Sequence, residues 1–220
     1  MIIADTPAAP PARVRAMARF YPRGTRLDRH SHHEEAQLLF APRGVMQVGT
    51  PKGRWLVPPQ RAVWLPPGLA HAVDMLADID MRSLYVERGW LAAHPEAARL
   101  DREFVVAVGP LLRELVLALF GEEGGGPHAG QRRDLLARFA LFELVEAEDA
   151  ATFIPLPSDP RARRVADLVL ADPGGAPDLA SLARSAGASS RTITRLFAAE
   201  TDLAFRQWRQ RARILSAVEI

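Results

Sequence analysis

The sequence predicts an α+β chain: a β-rich N-terminal part that closes as a small antiparallel barrel, then a helical pair, then an all-helical C-terminal unit. Three observations predict it. Short apolar runs broken by Pro and Gly fill residues 13–87, apolar spacing changes to steps of three and four after about residue 90, and two short amphipathic segments flank a glycine near the end.

A chain of 220 residues has room for two modest domains. With 48% hydrophobic and 25% charged residues it has the composition of a folded globular protein, which excludes disordered and fibrous classes. The absence of cysteine excludes disulfides, thiolate zinc sites and a Cys nucleophile, and fits a reducing compartment. The opening MIIADTPAAPPARVR has no basic region followed by an apolar one, and PLLRELVLALF at 110–120 is short and broken by Arg113 and Glu114. The expectation is therefore a cytoplasmic protein without a membrane segment. Residues 159–220 carry ten arginines and seven acids, so this tail is +3 while the remainder is −1. Arginine suits phosphates and guanine edges because its planar fork donates two hydrogen bonds at once.

In chain order, RFYPRGT, QLLFAPRGVMQVGTPKGRWLVPP and RAVWLPPGLAHAV read as short strands with turns between them. Val45–Gly49 and Arg54–Val57 form a hairpin turning at Pro51–Gly53, and prolines 58, 59, 66 and 67 bracket a strand at Ala62–Leu65, since proline cannot donate to a ladder. Trp55, Trp64, Met75 and Met81 read as barrel packing.

Leu100, Phe104, Val108, Leu111, Leu112, Leu115 and Leu119 predict one amphipathic helix over 95–120; Leu135, Leu136, Phe139, Phe142 and Val145 predict a second over 131–148. This pair either dimerises or packs on its own barrel. GEEGGGPHAG between them is a loop, and PLPSDPRA at 155–162 breaks the second helix and marks a boundary. Three segments follow: a barrel over 1–90, a helical dimerisation or packing segment over 91–154, and a helical unit over 155–220.

In the last segment Asp178 caps a helix over Leu179–Ala186, Gly187 ends it, and Ser189 caps a second over Ser190–Glu200. Two short helices around a Gly turn form a helix-turn-helix or a plain helical hairpin. With Ile193, Leu196 and Phe197 turned inward, Ser190, Arg191, Thr194 and Arg195 lie on the outer face, available to base edges, while Arg184 on the first helix lies near the DNA backbone.

The run DLASLARSAGASSRTITRLFAAETDLAFRQWRQRARILSAVE, from Asp178 to Glu219, resembles the first helix-turn-helix and linker helix of the AraC family of transcription regulators. The resemblance rests on LA-x-x-A-G-x-S-x-R-x-x-x-R-x-F and on F-x-x-W-x-x-x-x-R. It implies base reading by Arg191, Thr194 and Arg195, phosphate contacts by Arg209 and Arg213, and a core role for Trp208. The family carries a second helix-turn-helix beyond the linker helix, and Ile220 falls where it would begin. The readings are a fragment, or a shortened regulator relying on dimerisation.

A second constellation is Gly24, His30, His32, Gln37 and Gly44, followed by Pro66-Pro67-Gly68-Leu69-Ala70-His71. On one strand His30 and His32 share a face, and His71 arrives from a later turn, so three imidazoles converge in position to hold a divalent ion. This spacing resembles both motifs of the cupin barrel, a double-stranded β-helix, with Gln37 where cupin metal sites have Glu. Glu34, which shares the parity of His30 and His32, is a substitute ligand. Resemblance to an AraC-type branch containing a nickel-responsive member implies nickel, with zinc as the other choice. The alternative is a metal-free pocket for an organic effector.

The combined expectation is a non-enzymatic, ligand- or metal-responsive regulator that binds double-stranded DNA as a homodimer. The rivals are a metal-dependent cupin oxygenase or isomerase using His30, His32 and His71, and a sensor and dimerisation partner without DNA binding of its own.

Overall fold

The computed structural model describes residues 14–93, 95–121, 128–149, 153–172 and 174–217. The opening segment read for a targeting signal, most of the loop GEEGGGPHAG, the last two residues of the AraC-like run and Ile220 lie outside them.

Among the described residues, ten strands build two antiparallel sheets. They are β1 (Val14–Tyr21), β2 (Arg26–His30), β3 (Glu35–Phe40), β4 (Met46–Gly49), β5 (Gly53–Val57), β6 (Arg61–Leu65), β7 (His71–Met75), β8 (Ile79–Glu87), β9 (Phe104–Ala107) and β10 (Phe153–Pro155). One sheet runs β1-β8-β3-β6-β9 and the other β10-β5-β4-β7-β2. Face to face they make the expected cupin barrel. The β4–β5 hairpin forms as read from the sequence, with Met46 opposite Val57 and Gly49 opposite Arg54.

Strand alternation explains why the runs are so apolar. In β3, Gln37 and Leu39 point between the sheets, whereas Ala36, Leu38 and Phe40 point outward and are buried as well. Tyr21, Leu39, Met46, Val48, Val63 and Val73 belong to the core between the sheets, which includes Trp55, Met75 and Met81. Trp64 lies on the outer face of its sheet instead, and its indole N–H donates to Leu100 O at 2.8 Å.

The helices that cover this outer face are α1 (Arg88–Ala92), a 3₁₀ segment (Pro95–Asp101), α2 (Pro110–Ala118) and α3 (Ala129–Glu146). The single helix expected over 95–120 is thus divided. Its middle, Phe104-Val105-Val106-Ala107, pairs with β6, because β-branched residues fit a pleated surface and the open edge of β6 needs a partner. On α3 the buried residues are Ala137, Ala140, Leu141 and Leu144, while Leu135, Phe139 and Phe142 of the expected core stripe are 60%, 46% and 56% exposed.

The C-terminal unit comprises α4 (Pro160–Ala171), α5 (Leu179–Ser185), α6 (Ser190–Thr201) and α7 (Phe205–Ala217). It packs on the outer face of the other sheet, where Leu56, Ile154 and Leu156 join Val165, Val169, Phe197 and Trp208 in one cluster. The Pro-rich stretch is therefore docked. β10 extends the sheet beside β5, Leu156 N–H donates to Lys52 O at 3.0 Å, and Trp208 Nε1 donates to Pro155 O at 2.6 Å.

Candidate metal centre and nucleic-acid interface

The barrel site is built from two cross-strand pairs. His30 stands directly opposite His71 where β2 meets β7, after a register shift between Leu27 and His30, and their ring centroids are 4.4 Å apart. Gln37 on β3 stands opposite Tyr85 on β8. The two sheets bring these pairs together around a cavity of about 320 Å³.

His32 reaches the group by another route than expected. β2 ends at His30, so strand parity does not carry His32 to the site. The chain leaves the sheet, and the His32 carbonyl accepts Gly68 N–H at 2.8 Å from the turn before His71. The His32 ring then lies 5.2 Å from His30 and 5.6 Å from His71. The same departure removes Glu34, which is exposed, and Glu35 is paired with Arg15 at 2.8 Å. One ring nitrogen from each of His30, His32 and His71 lies within 4.8 Å of the others, and no acidic side chain of the described residues joins them.

Donor chemistry tests whether these residues suit a metal. His30 Nδ1 faces Asp28 O at 2.7 Å and His71 Nδ1 faces Leu69 O at 3.0 Å. A carbonyl only accepts, so each Nδ1 carries a proton, and in the neutral ring this leaves the Nε2 lone pair for a metal, the arrangement by which metal-binding imidazoles are oriented. Nε2 of His32 and of His71 is buried without a hydrogen-bond partner. Burial, then the neighbouring His30, lowers the pKa of His32. Burial also pushes His71 down to about 4, so it stays neutral and able to ligate. The three imidazoles fit a divalent ion.

Gln37, 4% exposed, donates through Nε2 to Tyr85 Oη at 3.0 Å and Ser83 Oγ at 3.4 Å, and its Oε1 is buried without a partner. Tyr85 and Ser83 are polar members of the site that the sequence reading missed. The signal was present, because Ile79, Met81, Ser83 and Tyr85 share one parity and the last two are polar on an inward face.

The second site is on the C-terminal unit. Asp178 caps α5 by accepting Ser181 N–H at 2.8 Å, and Ser189 caps α6 by accepting Thr192 N–H at 3.1 Å. Between them Gly187 has φ 67°, a left-handed conformation that lets Ala188 N–H reach Ala183 O and Gly187 N–H reach Arg184 O. These bonds fix the turn. Ile193 and Phe197 of α6 are fully buried and Leu196 partly so, while Arg191, Thr194 and Arg195 are exposed and Ser190 is half-buried. Arg184 is exposed and donates to Ser181 Oγ at 3.1 Å.

On α7, Trp208 is wholly buried, its ring 5.0 Å from that of Phe197. Arg206, Arg209, Gln210 and Arg213 line a groove on this helix. Arg209 is committed elsewhere: Nη1 donates to Pro177 O at 3.0 Å and Nη2 to Ala176 O, so it braces the entry to α5. Arg213 is exposed.

One chain thus carries a double-stranded β-helix barrel with three converging imidazoles and a capped helix-turn-helix. No family model matches the chain. It is 29% identical over 189 residues to the HTH-type transcriptional regulator NimR of Escherichia coli (strain K12), covering 85% of this chain and 66% of that protein. The chain thus spans just under two thirds of that relative's length. Among solved structures it aligns with unsaturated fatty acid bound ToxT from Vibrio cholerae over 93% of this chain and 79% of that one, at 11% identity and TM-score 0.43. KdgF from Halomonas sp. aligns over 37% of this chain and 75% of its own, at 22% identity and TM-score 0.33.

Proposed function

We propose that this chain is a cytoplasmic, ligand-responsive transcription regulator: α6 reads double-stranded DNA in the major groove, and the barrel senses a divalent metal or a small molecule. The observation that carries this reading is the division of α6 into a buried side, Ile193 and Phe197, and an exposed side, Arg191, Thr194 and Arg195. Arginine there can pair with a guanine edge and threonine with a thymine methyl, while Ser190, Arg184 and Arg213 supply contacts nearer the phosphates.

In the barrel, His30, His32 and His71 would hold Ni²⁺ or Zn²⁺, with Gln37 on the facing wall. The bound ion would act as a cross-link between β2, β7 and the loop that carries His32. A change there reaches the DNA-binding unit through sheet edges: β7 pairs with β4, β4 with β5, and β5 with β10, which leads directly into α4. Two states with different metal affinity suffice for such coupling. The exposed apolar side of α3, with Leu111 of α2 48% exposed, supports pairing with a second copy.

The test is a gel shift with DNA from upstream of the protein's own gene, with Ni²⁺, with Zn²⁺ and with chelator. Retention that changes on chelation and is lost in the Arg191→Ala, Arg195→Ala double variant is expected. No retention together with metal-dependent oxygen uptake would instead establish the cupin enzyme.

A further inference from the structure

Among the described residues, no carboxylate joins the three histidines to offset a divalent charge. Three neutral imidazoles and the neutral Gln37 leave an ion with its full +2, beside a cavity whose wall includes Met17, Leu39, Val73 and Met81. His71 is buried and His30 and His32 are half-buried, so an ion held there is partly removed from water, and a negative ligand that lowers its net charge is favoured. The nearby carboxylates are engaged or offset. Glu35 pairs with Arg15 and Asp74 with Arg26 at 2.5 Å, while Asp28, exposed at the rim, lies beside Arg26.

The same cavity carries a ready hydrogen-bond donor. Tyr85 Oη accepts from Gln37 Nε2, which leaves the phenol proton to be given to another group. Gln37 Oε1, buried and unpartnered, can take the proton of a further donor. A volume of about 320 Å³ is at the small end of ligand pockets, roughly 300–1,000 Å³.

We propose that the barrel is a joint receptor for a divalent metal and a small carboxylate, with Gln37 the residue that makes the carboxylate necessary. The inference rests on the three-histidine reading. The carboxylate supplies the missing negative charge and accepts the Tyr85 hydroxyl, and an apolar remainder lies against Met17, Leu39, Val73 and Met81. Metal and carboxylate then strengthen each other's binding by the same factor.

The experiment titrates the full chain with Co²⁺, followed by its visible absorption and by calorimetry, in chloride buffer, in benzoate and in benzamide, the neutral analogue of benzoate. Benzoate is expected to raise Co²⁺ affinity at least fivefold and to shift the visible bands, with benzamide doing neither. Gln37→Glu, which restores a carboxylate to the wall, is expected to bind Co²⁺ at least tenfold more tightly in chloride and to lose the response to benzoate. Tyr85→Phe covers the case in which Gln37→Glu fails to fold, and is expected to reduce the benzoate enhancement severalfold. One Co²⁺ bound per chain with equal affinity in chloride and benzoate overturns the inference but leaves the metal centre standing. Absence of Co²⁺ binding overturns the metal centre and the inference with it.

Discussion

Two arginines on neighbouring helices show how little residue type says about role. Arg195 on α6 is exposed on the proposed DNA-reading side, whereas Arg209 on α7 donates to the carbonyls of Ala176 and Pro177. Arg195→Ala is therefore expected to weaken binding to operator DNA by about 1–3 kcal/mol, while leaving the melting temperature within a degree. Arg209→Ala is expected to do the reverse, lowering stability by roughly 1.5 kcal/mol through two lost charged hydrogen bonds. Fluorescence anisotropy and thermal denaturation on the two variants separate these roles, and equal loss of DNA affinity in both would refute the assignment. Arg209 was expected at a phosphate because its place in the linker pattern is visible in sequence, while the carbonyls it faces lie 32 and 33 residues away.

At the scale of elements, the C-terminal unit was the most legible because its signals are local. Caps act within three residues, and Asp178, Gly187 and Ser189 each occupy the position their chemistry implies. One longer-range tie joins α6 to α4. Glu200 accepts the Asp159 N–H and the Ser158 N–H and hydroxyl, and these bonds, that from Asp159 foremost, hold its pKa below the ordinary glutamate range. A depressed carboxylate stabilises the fold above its unfolded pKa, about 4.3, and loses that contribution as pH falls through the folded value. The melting-temperature advantage of wild type over Glu200→Gln should thus be constant near neutrality and shrink below about pH 4. An advantage that does not change on acidification would exclude the tie. β10 offers a steric counterpart: a side chain at Gly53 would meet Ile154 O and the Phe153 ring. Gly53→Ala is expected to loosen β10 from β5, seen as faster amide exchange at Leu156 than at Val73 in the barrel interior.

At the scale of the whole molecule, the sheets are sandwiched between α1–α3 on one side and the C-terminal helical unit on the other. α3 is therefore apolar on two sides, one against the barrel and one outward, and the outward residues Leu135, Phe139 and Phe142 form the proposed dimer face. Phe139→Asp should convert a dimer to a monomer in light scattering while leaving the far-UV circular dichroism of the fold unchanged, since nearly half of that residue faces solvent. Wild type that stays monomeric at tens of micromolar would remove this surface from the proposal. Bound metal would stabilise the entire barrel: Ni²⁺ or Zn²⁺ at a hundredfold excess over its dissociation constant is worth about 2.7 kcal/mol, which chelation or His71→Ala should abolish.

The sequence by itself determined the class of each half, the β4–β5 hairpin, the caps and turn of the helix-turn-helix, and the three histidines. Those signals are local: period-two and period-3.6 spacing, proline and glycine at turns, side-chain caps within a few residues. Only the tertiary structure decided that Phe104–Ala107 is a strand, since an apolar run of four takes its form from the edge it completes. It likewise decided which side of α3 is buried, that His32 arrives from a loop while Glu34 turns away, and that Tyr85 stands behind Gln37. Each of these depends on what lies across a sheet or beneath a helix, many residues distant along the chain.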